Sequence, residues 1–187
     1  MRKLILLSFA LFALATSYQS NAQVVITTVG LPYSEDFDAL SNDTTFTTAH
    51  AMTLTGWSIF EKGTSSAVDQ MYKVNHGSRN NGETYSYGDT LSTDRALGSL
   101  ASGTNLPAFG VGFTNNTGAN ITGFNVTYKG EQWRSGDTVT AALDSLIFEY
   151  STTATGVNDT VASWNPVSSL MFNTPNLTTN IVGPLNG

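Results

Sequence analysis

The chain is 187 residues long with 8 Lys and Arg against 14 Asp and Glu, a net charge of −6, and it contains no cysteine. A low-charge acidic sequence lacks the basic footprint that nucleic acid or an anionic membrane surface requires. The absence of cysteine excludes disulfides, thiol nucleophiles and thiolate metal sites, so stability has to come from a packed core.

The N-terminal stretch MRKLILLSFALFALATSYQSNAQ reads as a signal peptide over residues 1–22. Arg2 and Lys3 precede an apolar run from Leu4 to Ala15 that is too short to span a bilayer. Ser20 and Ala22 put small residues at −3 and −1, which places cleavage before Gln23. Without Arg2 and Lys3, six cations face 14 acids, a net charge of −8. No later segment has the apolar length of a membrane span, so we expect no membrane insertion after cleavage and a secreted or cell-surface location in a Gram-negative-type bacterium.

Residues 23–187 carry period-two patterning broken by Gly, Asn, Asp and Ser turns, and no helix-period stripe. The predicted strands, in order, are Gln23–Val29, Gly56–Glu61, Met71–Val74 and Glu83–Tyr87, followed by the three strongest. Those three carry one-faced apolar sets: Phe109, Val111 and Phe113; Phe124, Val126 and Tyr128; Leu146, Phe148 and Tyr150. The turn cluster Thr114–Asn120 makes the first two an antiparallel hairpin. Ser163–Phe172 reads as a strand pair, and no closing strand follows it, so the domain is expected to be incomplete at its C-terminus. The pattern predicts one all-β domain, a jelly-roll-like sandwich of two antiparallel sheets. Its core would draw on Trp57 and Ile59 together with the nine residues of the three strong strands.

The series YSEDFDAL, GWSIFEKG, GETYSYGDTLSTDRALGSLASG, FGVGFTNNTGANITGFNVTYKGEQWRSG and DSLIFEYST spans nearly all of residues 23–187. It resembles the N-terminal β-sandwich accessory module of bacterial secreted multidomain proteins. Those proteins include extracellular nuclease or phosphoesterase chains and surface proteins with C-terminal sorting signals. The resemblance implies a non-catalytic accessory or adhesion module, and does not carry over the chemistry of domains this sequence lacks. A looser similarity to jelly-roll modules of carbohydrate-binding type rests on the EDF and GW stretches.

Two places carry candidate binding chemistry. Glu131, Gln132, Trp133 and Arg134 are consecutive; a Trp face stacks on a sugar ring while the polar neighbours bond its hydroxyls. The structural reading of the same residues is that Gly130 makes a bulge, Trp133 turns into the core and Arg134 pairs with a carboxylate. A Trp flanked by charges in a strand more often fills a core, which favours this second reading. Glu35, Asp36 and Asp38 offer hard oxygen ligands at a strand start, suited to a structural Ca²⁺, or else form a solvated acidic edge. Arg95 and Arg134 are expected to satisfy carboxylates between the sheets. The partner implied is an extracellular glycan or polymer. The alternatives are the front-end domain of a nuclease or phosphoesterase, or a glycoside hydrolase using a pair drawn from Glu61, Glu131 and Glu149. His50 and His76 stand in no nucleophile motif. Expression in a Gram-negative host should yield a mature chain that begins at Gln23, as read by intact mass and N-terminal sequencing.

Overall fold

The computed structural model describes residues 22–136, 143–177 and 182–187, and these form an all-β fold. Two sheets make its body. Strand β2 (Trp57–Gly63) pairs antiparallel with β6 (Asn105–Val111), and β3 (Tyr72–Asn75), β4 (Glu83–Tyr87) and β5 (Ala96–Leu100) form a mixed sheet with β4 central. The β3–β4 pair is parallel and the β4–β5 pair antiparallel. Four short ladders flank this body. Strand β1 (Val24–Ile26) lies parallel to β7 (Phe113–Asn115), and β8 (Arg134–Ser135) meets β13 (Gly183–Pro184). Strand β9 (Ser145–Leu146) meets β12 (Phe172–Asn173), and β10 (Glu149–Tyr150) meets β11 (Asn165–Pro166). A 3₁₀ turn, Ser168–Leu170, is the helical element among the described residues, and no helix there is long and apolar enough to cross a membrane.

Period-two alternation explains how the two sheets meet. In β2, Trp57, Ile59 and Glu61 share a face, and the register sets Val111, Phe109 and Pro107 opposite them. In the mixed sheet, Tyr72 lies opposite Thr84, and Leu97 opposite Ser86. Ile59, Tyr72 and Leu97 join Leu40, Met52 and Leu54 in one buried cluster, with Phe37, Trp57 and Phe109 packed against it. Phe37 and Trp57 meet edge to face at 4.8 Å. The two sheets therefore form a small sandwich whose third wall is the irregular segment 37–54. All five residues of β4 are buried, because both of its faces are covered.

Several expectations are corrected. The Phe109–Phe113 and Phe124–Tyr128 runs do not form a hairpin: Phe109 and Val111 pair with β2, and Phe124–Tyr128 is outside any strand. Phe124, Val126, Tyr128, Phe113, Leu146 and Tyr150 are exposed rather than core. Alternation marks an apolar face, but burial needs a second layer on that face. Among the described residues, segment 143–177 supplies only two-residue ladders. The rings cover one another instead: Tyr33 with Phe113 at 5.5 Å, Phe113 with Phe124 at 5.8 Å, and Tyr128 with Phe148 at 6.3 Å. The Ser163–Phe172 strand pair also divides, its two halves pairing with β10 and β9. Replacing Ile59 with Ala should therefore lower stability by roughly 2–4 kcal/mol in urea unfolding. Phe124→Ala should stay within about 1 kcal/mol.

Candidate functional site

The four residues at 131–134 are half-buried and bonded chiefly within the protein. The Trp133 indole lies parallel to the Tyr87 ring, at 6.2 Å and 8°, and its Nε1 donates to Glu131 Oε2 at 3.0 Å. Glu131 Oε1 meets the exposed Lys129 ammonium at 2.8 Å. Gln132 clips a distant segment in place, donating to the Asn176 carbonyl at 3.3 Å and accepting from the Asn176 N–H at 2.7 Å. Arg134 donates to the carbonyls of Gly77 (2.9 Å) and Ser78 (3.2 Å), which corrects the expected carboxylate partner. Gly130 is not a bulge, since no strand surrounds it. A Cβ there would run into the Phe172 ring, so glycine is needed for close approach. These contacts leave an open cleft of about 440 Å³ lined by Lys129–Gln132, Pro175–Asn176 and Leu185–Gly187. Glu131 and Gln132 are among its lining residues, and Trp133 and Arg134 are not.

The acidic trio near the N-terminus is dispersed. Glu35 accepts from the Tyr33 hydroxyl at 3.2 Å and from the Phe37 N–H at 3.1 Å. Asp36 accepts from the Asp38 N–H, and Asp38 from the Arg95 N–H, both at 3.1 Å. Each carboxylate thus fixes the chain, and the three are not gathered on a common point. Among the described residues, the acidic group that does converge is Glu61, Asp69 and Glu83, with ligand atoms within 4.8 Å of one another.

That cluster is densely hydrogen-bonded. Glu61 is 2 % exposed, and its carboxylate accepts four bonds. The Thr84 N–H and hydroxyl reach Oε1, both at 3.0 Å; the N–H groups of Asp69 (3.1 Å) and Gln70 (3.2 Å) reach Oε2. Gln70 also pairs its side-chain amide with the Glu61 backbone at 3.0 and 2.9 Å, standing in for a strand neighbour. These bonds hold Gln70 at φ +62, a left-handed conformation that a non-glycine residue adopts at a cost of order 1 kcal/mol. Glu83, 1 % exposed, accepts from the Lys73 ammonium, which also reaches Asp69 at 3.4 Å. Burial pushes the Glu83 carboxyl up to about 7, the neighbouring Glu61 carboxyl pushes the same way, and the bond and charge of Lys73 oppose both. Burial lowers the Lys73 ammonium, but the bonds and charges of Glu83 and Asp69 together raise it by more, so it stays above its ordinary value.

A carboxyl pair with one member raised has acid–base potential, but Glu61 and Glu83 lie closer than a glycosidase pair, which flanks the bond it cleaves. Their burial also argues against that use, since the Glu61 oxygens are committed to protein donors. The same bonds make the cluster a poor Ca²⁺ site: the ion needs six to eight free oxygens, and Lys73 already provides the positive charge. Of the other carboxylates considered for hydrolysis, Glu149 is exposed on β10 and Glu131 borders the cleft. His50 bonds Asp43 at 2.6 Å and stacks on Tyr72, while the Ser41 and Thr45 hydroxyls bond Asp43.

Arg95 is buried, 3 % exposed, and also departs from expectation. Its guanidinium donates to the Ser86 hydroxyl (2.9 Å), the Asp89 carbonyl (3.1 Å) and the Ser86 carbonyl. Burial holds it below the usual guanidinium range, with Asp89 and Asp94 opposing. A Cβ at residue 88 would strike this guanidinium, which is why glycine stands there. The pattern of loop carbonyls around Arg95 and Arg134 has no sequence signal, because any residue supplies a carbonyl.

Glu61→Ala removes the acceptor for four donors and should cost on the order of 3–5 kcal/mol, whereas Glu131→Ala should cost under about 1 kcal/mol. Urea denaturation of the two variants checks the contrast. Comparison of the chain with protein-family models, with curated proteins and with solved structures finds no match.

Proposed function

We propose that the chain is a non-catalytic accessory or adhesion module of a secreted or cell-surface protein, binding an extracellular glycan or polymer in the cleft beside β8. The observation that carries this reading is the cleft itself. Its volume of about 440 Å³ suits a few sugar units, and its rim combines Lys129, Glu131, Gln132, Asn176 and Asn186 with Pro175 and Leu185. Neutral amides and one carboxylate–ammonium pair match the hydroxyl groups of a saccharide, which both donate and accept. Trp133 serves this surface indirectly, because its ring is laid against Tyr87 and its N–H holds Glu131 toward the rim. The signal-like N-terminus supports an extracellular setting.

The binding test is a pull-down of the purified protein against a panel of insoluble and soluble polysaccharides. The wild type should bind at least one polymer, and the Glu131→Gln/Asn186→Ala variant should bind it about tenfold more weakly with an unchanged melting temperature. Equal binding by the variant removes the cleft as the site, and no binding by the wild type to any polymer removes the glycan reading. Trp133→Ala should lower the melting temperature, as expected of a ring that supports the rim.

A further inference from the structure

Glu61 belongs to β2 and Glu83 to β4, so their contact joins the two sheets of the body. Glu61 reaches the mixed sheet through the N–H and hydroxyl of Thr84, and holds the connection between β2 and β3 through the N–H groups of Asp69 and Gln70. The charged and titratable groups facing Glu83 are Glu61 from β2, Asp69 from the β2–β3 connection, Lys73 from β3 and Tyr85 from β4 itself. Strand β5 presents Leu100 opposite Glu83, and β6 presents Asn105, whose amide donates to the Gly82 carbonyl; neither titrates. Two carboxyls, Asp69 and Glu83, therefore share one ammonium, with the Glu61 carboxyl beside them.

The two glutamates converge on one donor: Oε1 of each accepts from the Thr84 N–H, at 3.0 and 3.2 Å. An ionised carboxylate only accepts, so two of them this close repel unless a proton on one supplies a donor between them. We propose that Glu61 and Glu83 form a proton-operated clasp between the sheets, closed while they share a proton and loosened when it is lost to solvent. Loss of that proton leaves two negative charges in contact, with Lys73 able to offset one of them. The weakest part of the assembly then gives way: the connection at residues 64–71, held to the body by the Glu61 carboxylate and by Gln70 in its left-handed conformation.

The direction follows from proton linkage. In the unfolded chain Glu83 loses its proton near its ordinary value of 4.5, and in the folded chain at about 7. Between those values the folded state holds more protons than the unfolded one, so stability is highest at the acidic end and falls as pH rises through 7. Lys73, raised from an already high value, stays charged throughout this window and adds no slope there.

The test is a series of thermal melts from pH 5 to 8.5 on the full chain in chelator-containing buffer, for the wild type and for Glu83→Gln. The Gln amide can donate to Glu61 at every pH. The wild-type melting temperature should fall by about 5 °C across the range, and the variant profile should be flat. Hydrogen exchange, corrected for its intrinsic pH dependence, should show the Asp69, Gln70 and Thr84 amides about tenfold less protected at pH 8.5 in the wild type. If the variant does not fold, carbon-13 titration of the wild-type side-chain carboxyls decides: one Glu should titrate near neutrality. A flat wild-type profile, an unchanged slope in Glu83→Gln, or no Glu titrating above pH 6 each overturns the clasp.

Discussion

The carboxylate of Glu61 is the constraint on which the rest of the body depends. It occupies the end of an apolar face, two positions beyond Ile59 and four beyond Trp57, where a hydrophobic residue would continue the alternation. A carboxyl group so buried is tolerated only when its oxygens are saturated, and here four donors from two segments do this. The bonds then specify geometry that apolar packing alone would leave loose. They fix the spacing of β2 from β4, the path of the connection between β2 and β3, and the unusual backbone of Gln70. A leucine in that place would bury area without choosing among sheet registers.

The rest of the polar interior follows a related logic. Arg95 and Arg134 are held by main-chain carbonyls of tight turns, so each guanidinium ties a loop to the body. In a chain without cysteine, these polar ties do for the loops what disulfides do in many exported domains. Their value depends on being complete, because a guanidinium or carboxylate that loses one partner keeps its full desolvation cost.

The sequence conveyed the fold class and some of its parts well. The strand Glu83–Tyr87 has the boundaries its pattern indicates, and β2 begins one residue and ends two residues later than expected. Ile59 lies in the core, with Trp57 and Phe109 against it. Local alternation is sufficient for such strands because it reports the chain's own two faces. It is insufficient for Phe124–Tyr128, where burial depends on a layer supplied by other segments. Strand β5, rich in Ala, Gly and Ser, has too little contrast between its faces to register. Leu40, Met52 and Leu54 enter the core from irregular chain, which has no period to read. The acidic cluster was equally hidden: Glu61, Asp69 and Glu83 are eight and fourteen residues apart, and each alone looks like an ordinary surface acid. At Glu131–Arg134 the partners, a tyrosine ring and backbone carbonyls, had no sequence signal.

The exposed rings have one more consequence, for the protein in solution. No charged residue occurs from Ala96 to Tyr128, and this stretch carries Phe113, Phe124, Val126 and Tyr128 outward. Nothing on the strip itself repels a second apolar surface, so separation of molecules falls to the net charge of −6 carried elsewhere. That repulsion acts over a screening length of about 10 Å at 0.1 M salt and about 3 Å at 1 M. The colloidal behaviour of this acidic protein is thus set by ionic strength: dilute buffer keeps molecules apart, and concentrated salt lets the strips meet.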